Sequence, residues 1–114
     1  MTDCIFCKIA AGKIPSEKVA ETDTLFAFRD INPMAPAHIL IIPKKHIPNN
    51  LALTDDDRLV VGDAYLLANR LARELGVAGA GFRMVTNNGP DAGQAVFHLH
   101  FHLLGGRPLG WPPG

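Results

Sequence analysis

The sequence predicts an α+β domain: an antiparallel β-meander sheet accompanied by one long and one short helix. Several short β-branched or aromatic runs are separated by turn residues, and a single stretch in the middle of the chain has helical periodicity. Strands interrupted by only one long helix are typical of α+β folds. Because 114 residues suffice for one compact unit, we expect a single domain over residues 1–114.

The first half of the chain predicts a short helix and three strands. The helix covers residues 6–11, and Gly12 ends it because glycine readily adopts the left-handed conformation. Residues 19–22 and 25–28 are predicted strands joined by a polar turn. The run of residues 38–42 is rich in β-branched side chains and predicts the third strand.

The second half predicts the long helix and two further strands. Thr54 is a suitable N-cap, and the three aspartates after it favour the positive end of the helix dipole. Gly76 ends the helix, and residues 82–86 and 96–104 are the last predicted strands, separated by a loop over residues 87–94. We interpret the apolar stripe of the helix as core or as contact with a second copy of the chain; it comprises Leu59, Leu66, Leu67, Ala68, Leu71 and Leu75.

The composition excludes several classes of protein. Eleven lysines and arginines balance eleven aspartates and glutamates, which argues against a nucleic-acid partner and against binding to a membrane surface. A hydrophobic content of 47% with 19% charged residues is too apolar for a disordered chain. The low charge also suggests that a second copy of the chain covers part of the apolar surface.

Two cysteines, Cys4 and Cys7, are too few for a disulfide framework. Their spacing is typical of a metal knuckle or of a redox pair in a reducing compartment, and two buried thiols are a further alternative. The longest apolar run near the start, residues 9–11, is far too short for a signal-peptide core or a membrane span. We therefore expect a cytoplasmic protein.

Three of the five histidines, His98, His100 and His102, alternate with apolar residues. In a strand, this pattern places three imidazoles on one face. Three identical titratable side chains in line are seldom a chance feature of a polar surface. Two functional interpretations remain, metal binding and phosphoryl chemistry. Residues i and i+4 of a strand lie about 13 Å apart, so at most two of the three can bind one ion and at least one stays free.

A free imidazole suits phosphoryl chemistry. With an ordinary pKa of about 6.5 it carries one bare nitrogen, which can act as a general base or attack phosphorus. The loop before the histidines adds amide donors and glycines that can approach an anion closely: Asn87, Gly89, Gly93 and Gln94. Such a loop alone is typical of a hairpin connection, but beside a histidine row it indicates a phosphate or oxyanion site.

The sequence resembles the histidine-triad (HIT) superfamily, whose signature alternates three histidines with apolar residues, as in residues 98–104. It is most similar to the Hint branch, the nucleoside phosphoramidases. The resemblance covers essentially the whole chain and implies a homodimer with a continuous sheet across the interface and a nucleotide pocket in each subunit. The matching segments are FRDI at 28–31, PAH at 36–38, IPKKH at 42–46, GQ at 93–94, LGGR at 104–107 and WPPG at 111–114.

The resemblance implies a catalytic role for three histidines. His100 is the implied nucleophile, which attacks the α-phosphorus of a purine nucleoside 5′-phosphoramidate and forms a nucleotidyl-histidine intermediate that water then hydrolyses. His102 contacts the phosphoryl group or the leaving group. His38 belongs to the same hydrogen-bonded cluster, or is simply a satisfied core residue at the head of its strand.

The resemblance also implies a nucleotide pocket. Asp30 is the implied ribose-binding carboxylate, and Ile31 packs against the base. Phe6 and Phe28 are companions of the base or plain core residues, and for Phe6 we favour the core. Trp111 reaches across the dimer or only anchors the tail. The remaining residues implied on the ribose and phosphate side are Asn87, Gly93, Gln94 and Ala95, together with His100 and His102.

Ala95 departs from the family pattern, because many Hint enzymes carry a serine there that assists the leaving group. Without the hydroxyl, proton delivery to an amine is slower and a dinucleoside polyphosphate hydrolase becomes the alternative enzyme. A non-catalytic nucleotide-binding or scaffold protein is the alternative from a different class. A metal-trafficking protein is disfavoured, because His38 and His46 are scattered and Met-rich or Cys-rich clusters are absent from the sequence.

The Cys4-x-x-Cys7 pair is a second departure and resembles the zinc-bearing members of the superfamily. There the resemblance implies a closed Cys₂His₂ structural zinc site formed by Cys4, Cys7, His46 and His98. This assignment agrees with the strand geometry, because His98 binds the metal while His100 stays free. No organic cofactor is expected.

Overall fold

The computed structural model describes residues 3–114. In the described residues the main elements, in chain order, are α1 (Ile5–Ala10), β1 (Lys18–Glu21), β2 (Leu25–Arg29), β3 (Ala37–Pro43), α2 (Arg58–Glu74), β4 (Phe82–Val85) and β5 (Phe101–Gly105). Short 3₁₀ turns cover Asn50–Ala52, Asp55–Asp57 and Pro90–Ala92. The predicted short helix and first three strands agree with this structure to within one or two residues.

All five strands form one antiparallel sheet in the order β1-β2-β3-β5-β4. The predicted α+β class with an antiparallel sheet, one long helix and one short helix is confirmed. The first three strands follow each other as a meander. β5 then lies between β3 and β4, with Ile39 opposite Leu103, so the last two strands do not follow the chain order of a continuous meander.

The two faces of the sheet pack against different helices. Residues of β3 alternate, so that Ile39 and Ile41 join the core formed with α2, whereas Leu40 and Ile42 join the core formed with α1. His38 lies two residues before Leu40 and shares its face, and His102 pairs with Leu40 across the β3–β5 ladder. The sheet therefore carries these histidines on the side of α1.

The buried stripe of α2 differs in part from the predicted one. Leu67 and Leu71 are core residues, as expected, and small alanines complete the stripe. Leu59 and Leu66, at 81% and 67% exposure, lie outside the core. A helix packed on a twisted sheet buries only about a third of its circumference, and the alanines let it approach closely.

The prediction of a strand over residues 96–104 is wrong at its start, because β5 begins at Phe101. His98 and His100 therefore precede the strand and do not belong to its ladder. The Leu99 amide instead donates to the Ile47 carbonyl at 2.6 Å. Alternation of apolar and polar residues gave the right faces here but could not show where the ladder ends.

The start of α2 depends on the buried Asp57 carboxylate. It accepts hydrogen bonds from the Thr54 amide at 2.9 Å and from Lys45 Nζ at 2.8 Å. The Lys45 ammonium, followed by the Thr54 amide, holds the pKa of Asp57 below its usual 3.8. This pairing joins the helix start to the segment that follows β3.

The Asp57→Asn variant is expected to have a lower melting temperature at neutral pH, because it removes the charge that faces Lys45. A folded-state pKa below the unfolded value means that the carboxylate stabilises the fold fully above pH 3.8, and that this contribution is lost as the pH falls through the folded pKa. The melting temperatures of the two proteins, followed by circular dichroism, should therefore converge in acid. The exposed Asp55→Asn is the control, and a gap independent of pH would contradict the assignment.

Candidate active site and metal centre

His38 and His102 form a directional hydrogen-bonded pair. The Met34 amide donates to His38 Nδ1 at 3.0 Å, so the proton of the neutral His38 ring is on Nε2. This Nε2–H lies 2.9 Å from His102 Nδ1 and 3.4 Å from Asp30 Oδ2. His102 Nδ1 accepts, and the proton of the neutral His102 ring is therefore on Nε2.

Both members of this pair are uncharged at neutral pH. Burial lowers the pKa of His38, although the nearby Asp30 carboxylate opposes the shift. Burial, followed by the nearby His100 and His38 rings, lowers the pKa of His102 to about 4, again against the effect of Asp30. The tautomers set by Met34 are thus the forms present at pH 7.

His100 presents one bare nitrogen. Its Nδ1 lies 2.7 Å from the main-chain carbonyl of His98, and since a carbonyl only accepts, Nδ1 carries the proton and Nε2 the free lone pair. The ring is buried, stands edge-on to Phe6 with centroids 5.1 Å apart, and lies 5.0 Å from the His102 ring. A neutral imidazole in this tautomer can act as a nucleophile through Nε2.

A second cluster brings four metal-ligand side chains together: Cys4, Cys7, His46 and His98, whose donor atoms all lie within 4.8 Å of one another. His98 Nε2 donates to the Pro43 carbonyl at 2.7 Å, which leaves Nδ1 bare. This Nδ1 lies 3.3 Å from Cys4 Sγ and 3.5 Å from Cys7 Sγ. His46 Nδ1 lies 3.4 Å from Cys7 Sγ.

The donor set fits a tetrahedral metal ion. Bonds of about 2.3 Å to sulfur and 2.0–2.1 Å to nitrogen place neighbouring S and N ligands roughly 3.6 Å apart, close to the distances above. Burial, followed by the adjacent Cys4 thiol, raises the pKa of Cys7 in the protein alone. A cation at the centre would reverse this shift, because it stabilises the thiolates. The cluster therefore could hold a metal.

Three other donors also come together, at Asp30, His38 and His102. A metal on His38 Nε2 would require that nitrogen to be bare and Nδ1 to carry the proton. The Met34 amide points its hydrogen at Nδ1, so the proton cannot move there. We therefore interpret this group as a hydrogen-bonded chain and not as a metal site.

A cavity of about 430 Å³ opens beside this chain, and Asp30, Ile31 and His38 are among the residues that line it. Asp30 Oδ1 accepts from the Asn32 amide at 2.8 Å, while Oδ2 faces His38. Ile31 is 89% exposed, so its side chain is available to a ligand at the cavity. The structure thus brings the expected ribose carboxylate, the expected base contact and His38 to one place.

The other residues expected at the site differ in what they offer. Phe6 and Phe28 are buried in the core beside α1, 5.6 Å apart as ring centroids. Asn87 is partly buried, whereas Gly93 and Ala95 are exposed on the loop. Trp111 is 83% exposed near the C terminus.

The Gln94 side chain forms its hydrogen bonds with the backbone of its own loop and of the neighbouring Pro48. Its Oε1 accepts from the Gly89 amide at 2.9 Å, and its Nε2 donates to the carbonyls of Pro48 and Val96 at 2.8 and 3.1 Å. The backbone φ of Gly89 and Gly93 is 87° and 81°, a region that favours glycine. The Gln94 side chain therefore supports the loop from within.

Sequence reasoning missed the backbone groups that set the histidine tautomers, namely the Met34 amide and the Pro43 carbonyl. Neither has a side-chain signature. For the contact between Phe6 and His100, the one signal in the sequence was that Phe6 lies between Cys4 and Cys7, which were expected to bind a metal together with His98.

Comparison with known proteins identifies the class to which this fold and histidine cluster belong. The sequence profile of the HIT domain family matches residues 11–109, and the chain therefore belongs to this family. The resemblance to the histidine-triad superfamily is thus confirmed. In the described part of the chain, residues 3–114, no helix is both long and apolar enough to cross a membrane.

Individual relatives match over most of their length. An uncharacterized HIT-like protein of Synechocystis sp. is 51% identical over 112 residues, which cover 98% of this chain and 97% of that protein. The crystal structure of a HIT family hydrolase from Legionella pneumophila has a TM-score of 0.96 and 48% identity, covering 98% of this chain and 100% of the other. A histidine triad nucleotide-binding protein from Candida albicans has a TM-score of 0.81 and 38% identity, covering 96% and 83%.

The Gln94→Ala variant is expected to lose about 1–3 kcal/mol of folding free energy, because it removes the part-buried hydrogen bonds that the side-chain amide makes to the backbone of Gly89, Pro48 and Val96. Urea unfolding followed by fluorescence or circular dichroism measures this loss. Asp91→Asn, an exposed change in the same loop, is the control and should be nearly neutral. Equal stability of Gln94→Ala and the wild type would show that the amide does not brace the loop.

Proposed function

We propose that this chain hydrolyses the P–N bond of purine nucleoside 5′-phosphoramidates through a covalent nucleotidyl-histidine on His100. The observation that carries the proposal is the buried His100 ring with Nε2 bare, next to His102, whose hydrogen-bond partner His38 lines the cavity at Asp30. The similar structures described as a HIT family hydrolase and as a histidine triad nucleotide-binding protein support both the reaction type and the ligand class. In this proposal residues 1–114 act as one HIT domain of the Hint branch.

The proposed reaction has two balanced steps. The Nε2 lone pair of His100 forms a bond to phosphorus, and the P–N bond breaks with its electron pair going to the amine nitrogen, which takes up a proton. Water then attacks phosphorus, the bond to Nε2 breaks, and the lone pair returns to His100. The proton that water gives up replaces the one taken by the amine, so the net change is the addition of one water molecule.

The neighbouring residues support these steps by hydrogen bonding. His102 offers its Nε2–H to the phosphoryl oxygen or to the leaving group, and His38 holds His102 in that tautomer. The Asp30 carboxylate is suited to accept from ribose hydroxyls, with Ile31 against the base. Asn87, Gly93, Gln94 and Ala95 belong to the phosphate side, where the braced backbone and the small side chains leave room for an anion.

Replacement of His100 by Ala is expected to reduce turnover of an adenosine 5′-phosphoramidate by more than about 10³-fold, since the nucleophile is removed. Binding of the nucleoside monophosphate should change only severalfold. Rapid quenching of the wild type with labelled substrate, followed by peptide mass spectrometry, should find the label on His100. Unimpaired turnover by the variant, or label on another residue, would exclude the mechanism.

Ala95 favours a second candidate function, the hydrolysis of dinucleoside polyphosphates. A phosphate leaving group needs less help from a hydroxyl at this position than an amine does. Comparison of kcat/KM for an AMP-amine substrate and for a dinucleoside polyphosphate separates the two. A non-catalytic nucleotide-binding or scaffold protein would bind AMP but release no burst of leaving group from either substrate.

We further propose that the ion of the Cys4, Cys7, His46 and His98 cluster is zinc. Two thiolates and two neutral imidazoles form a closed tetrahedral set, which is the composition of structural zinc sites. Such an ion would cross-link α1, the segment after β3 and the segment before β5. Thiols that hold a metal need reducing conditions, so the proposal includes the cytoplasm as the compartment.

Freshly purified protein is expected to contain close to one zinc ion per chain, measured by plasma mass spectrometry. His46→Asn should lose most of it, because one of four ligands is removed. His38→Asn is the matched control and should retain zinc, since His38 lies in the hydrogen-bonded chain and not in the cluster. Absence of zinc together with rapid alkylation of both cysteines, or loss of zinc from both variants, would contradict the assignment.

The proposal includes a homodimer whose sheet continues across the interface. Leu59 and Leu66 form an exposed apolar strip on α2 in the single chain, which is consistent with cover by a second copy. The exposed Trp111 would then lie close enough to the partner to influence its pocket.

A further inference from the structure

The segment that carries the proposed nucleophile, residues 98–100, lies outside the backbone ladders of the sheet. β5 begins only at Phe101, so His98 and His100 have no partners in the β3–β5 ladder. Their backbone geometry must therefore come from other contacts. This matters because the His98 carbonyl, at 2.7 Å, is the group that keeps the proton of His100 on Nδ1.

The contacts that fix this segment come from the residues around the metal cluster. His98 Nδ1 faces both thiols, and its Nε2 donates to the Pro43 carbonyl. The Leu99 amide donates at 2.6 Å to Ile47, the residue directly after the ligand His46. The short backbone stretch that ends at His100 is therefore held by contacts of His98 and by the hydrogen bond of Leu99.

The third contact is through α1. Cys4 and Cys7 flank Phe6 in sequence, and the Phe6 ring stands edge-on to His100 at 5.1 Å and to His98 at 6.0 Å. Besides the thiols, α1 is attached to the sheet through a small cluster that includes Phe6 and Ile9. A change at the two sulfur ligands therefore also reaches the ring that packs against His100.

We propose that the Cys4/Cys7/His46/His98 metal centre is a positioning device for His100, which fixes the 98–100 backbone and with it the tautomer and place of the nucleophile. In this role the four ligands act through the His98 carbonyl and Phe6, and they touch no substrate. The proposal rests on the proposed function, in that His100 is taken to be the nucleophile. According to the proposal, the metal centre increases the rate of nucleotidyl transfer in addition to stabilising the fold.

The first test is amide hydrogen exchange on the wild-type protein with zinc and after removal of zinc by a chelator. The Leu99 amide is expected to exchange at least about tenfold faster without metal, because the segment loses its anchors. The amide of Leu103, which lies within β5, is the internal control and should change little. If complete removal unfolds the chain, the comparison is made between the zinc-loaded wild type and Cys4→Ser, which lacks one ligand and is expected to lose most of the zinc.

The second test follows the chemistry on the same samples. The rate constant for transfer of the nucleotide to the enzyme should fall at least about tenfold in the zinc-depleted protein and recover when zinc is added, while the Kd for AMP changes little. Ile9→Ala is the matched control: it removes packing of α1 but no ligand. It should lower the melting temperature and leave both the Leu99 protection and the transfer rate near wild type.

Equal Leu99 protection with and without zinc, together with an unchanged transfer rate, would overturn the proposal. A transfer rate that falls in Ile9→Ala as much as in the zinc-depleted protein would also overturn it, because a loss of stability would then explain the effect. Absence of transfer in the zinc-loaded wild type would instead refute the proposed function. In that case the Leu99 exchange comparison still decides whether the metal fixes the segment.

Discussion

The hydrogen bond from His100 Nδ1 to the main-chain carbonyl of His98 determines which nitrogen of His100 can react. Because the carbonyl can only accept, the proton stays on Nδ1 and the lone pair is on Nε2. The proposed nucleophilic role of His100 depends on this bond. His102 lies beside the ring, Phe6 packs edge-on against it, and the cavity at Asp30 opens beside His38, the hydrogen-bond partner of His102.

A backbone hydrogen bond to one imidazole also distinguishes the two clusters of potential metal ligands. In one, His98 donates its Nε2–H to the Pro43 carbonyl and turns a bare Nδ1 toward two thiols, which is the tautomer a metal requires. In the other, the Met34 amide occupies Nδ1 of His38 and forces its proton onto Nε2. Donor atoms lie close together in both, so proximity alone does not distinguish a metal centre from a hydrogen-bonded chain. The backbone partner of the ring distinguishes them: it is the Pro43 carbonyl for His98 and the Met34 amide for His38.

Much of this arrangement could be predicted from the sequence, because it depends on local residue patterns. The β-branched run of residues 38–42 predicted β3, and Thr54 with the aspartates after it predicted the start of the long helical segment, in which a 3₁₀ turn over Asp55–Asp57 precedes α2. The end of the β5 ladder and the insertion of β5 between β3 and β4 depend on long-range pairing, which leaves no local pattern. From the sequence, the Gln94 side chain could contact a ligand. In the structure its amide instead hydrogen-bonds to the backbone of Gly89, Pro48 and Val96, and Pro48 is too far away in the sequence for this contact to be predicted.

The candidate metal cluster and the proposed nucleophile share one short stretch of backbone, and this sharing explains why three neighbouring histidines have three different environments. His98 turns to the thiols, His100 is held by its neighbour's carbonyl, and His102 joins His38. Long-range ¹H–¹⁵N correlation of the imidazole rings at neutral pH tests the central claim most directly. It should show His100 as a neutral ring protonated on Nδ1; a proton on Nε2, or a metal bound to that ring, would contradict the account.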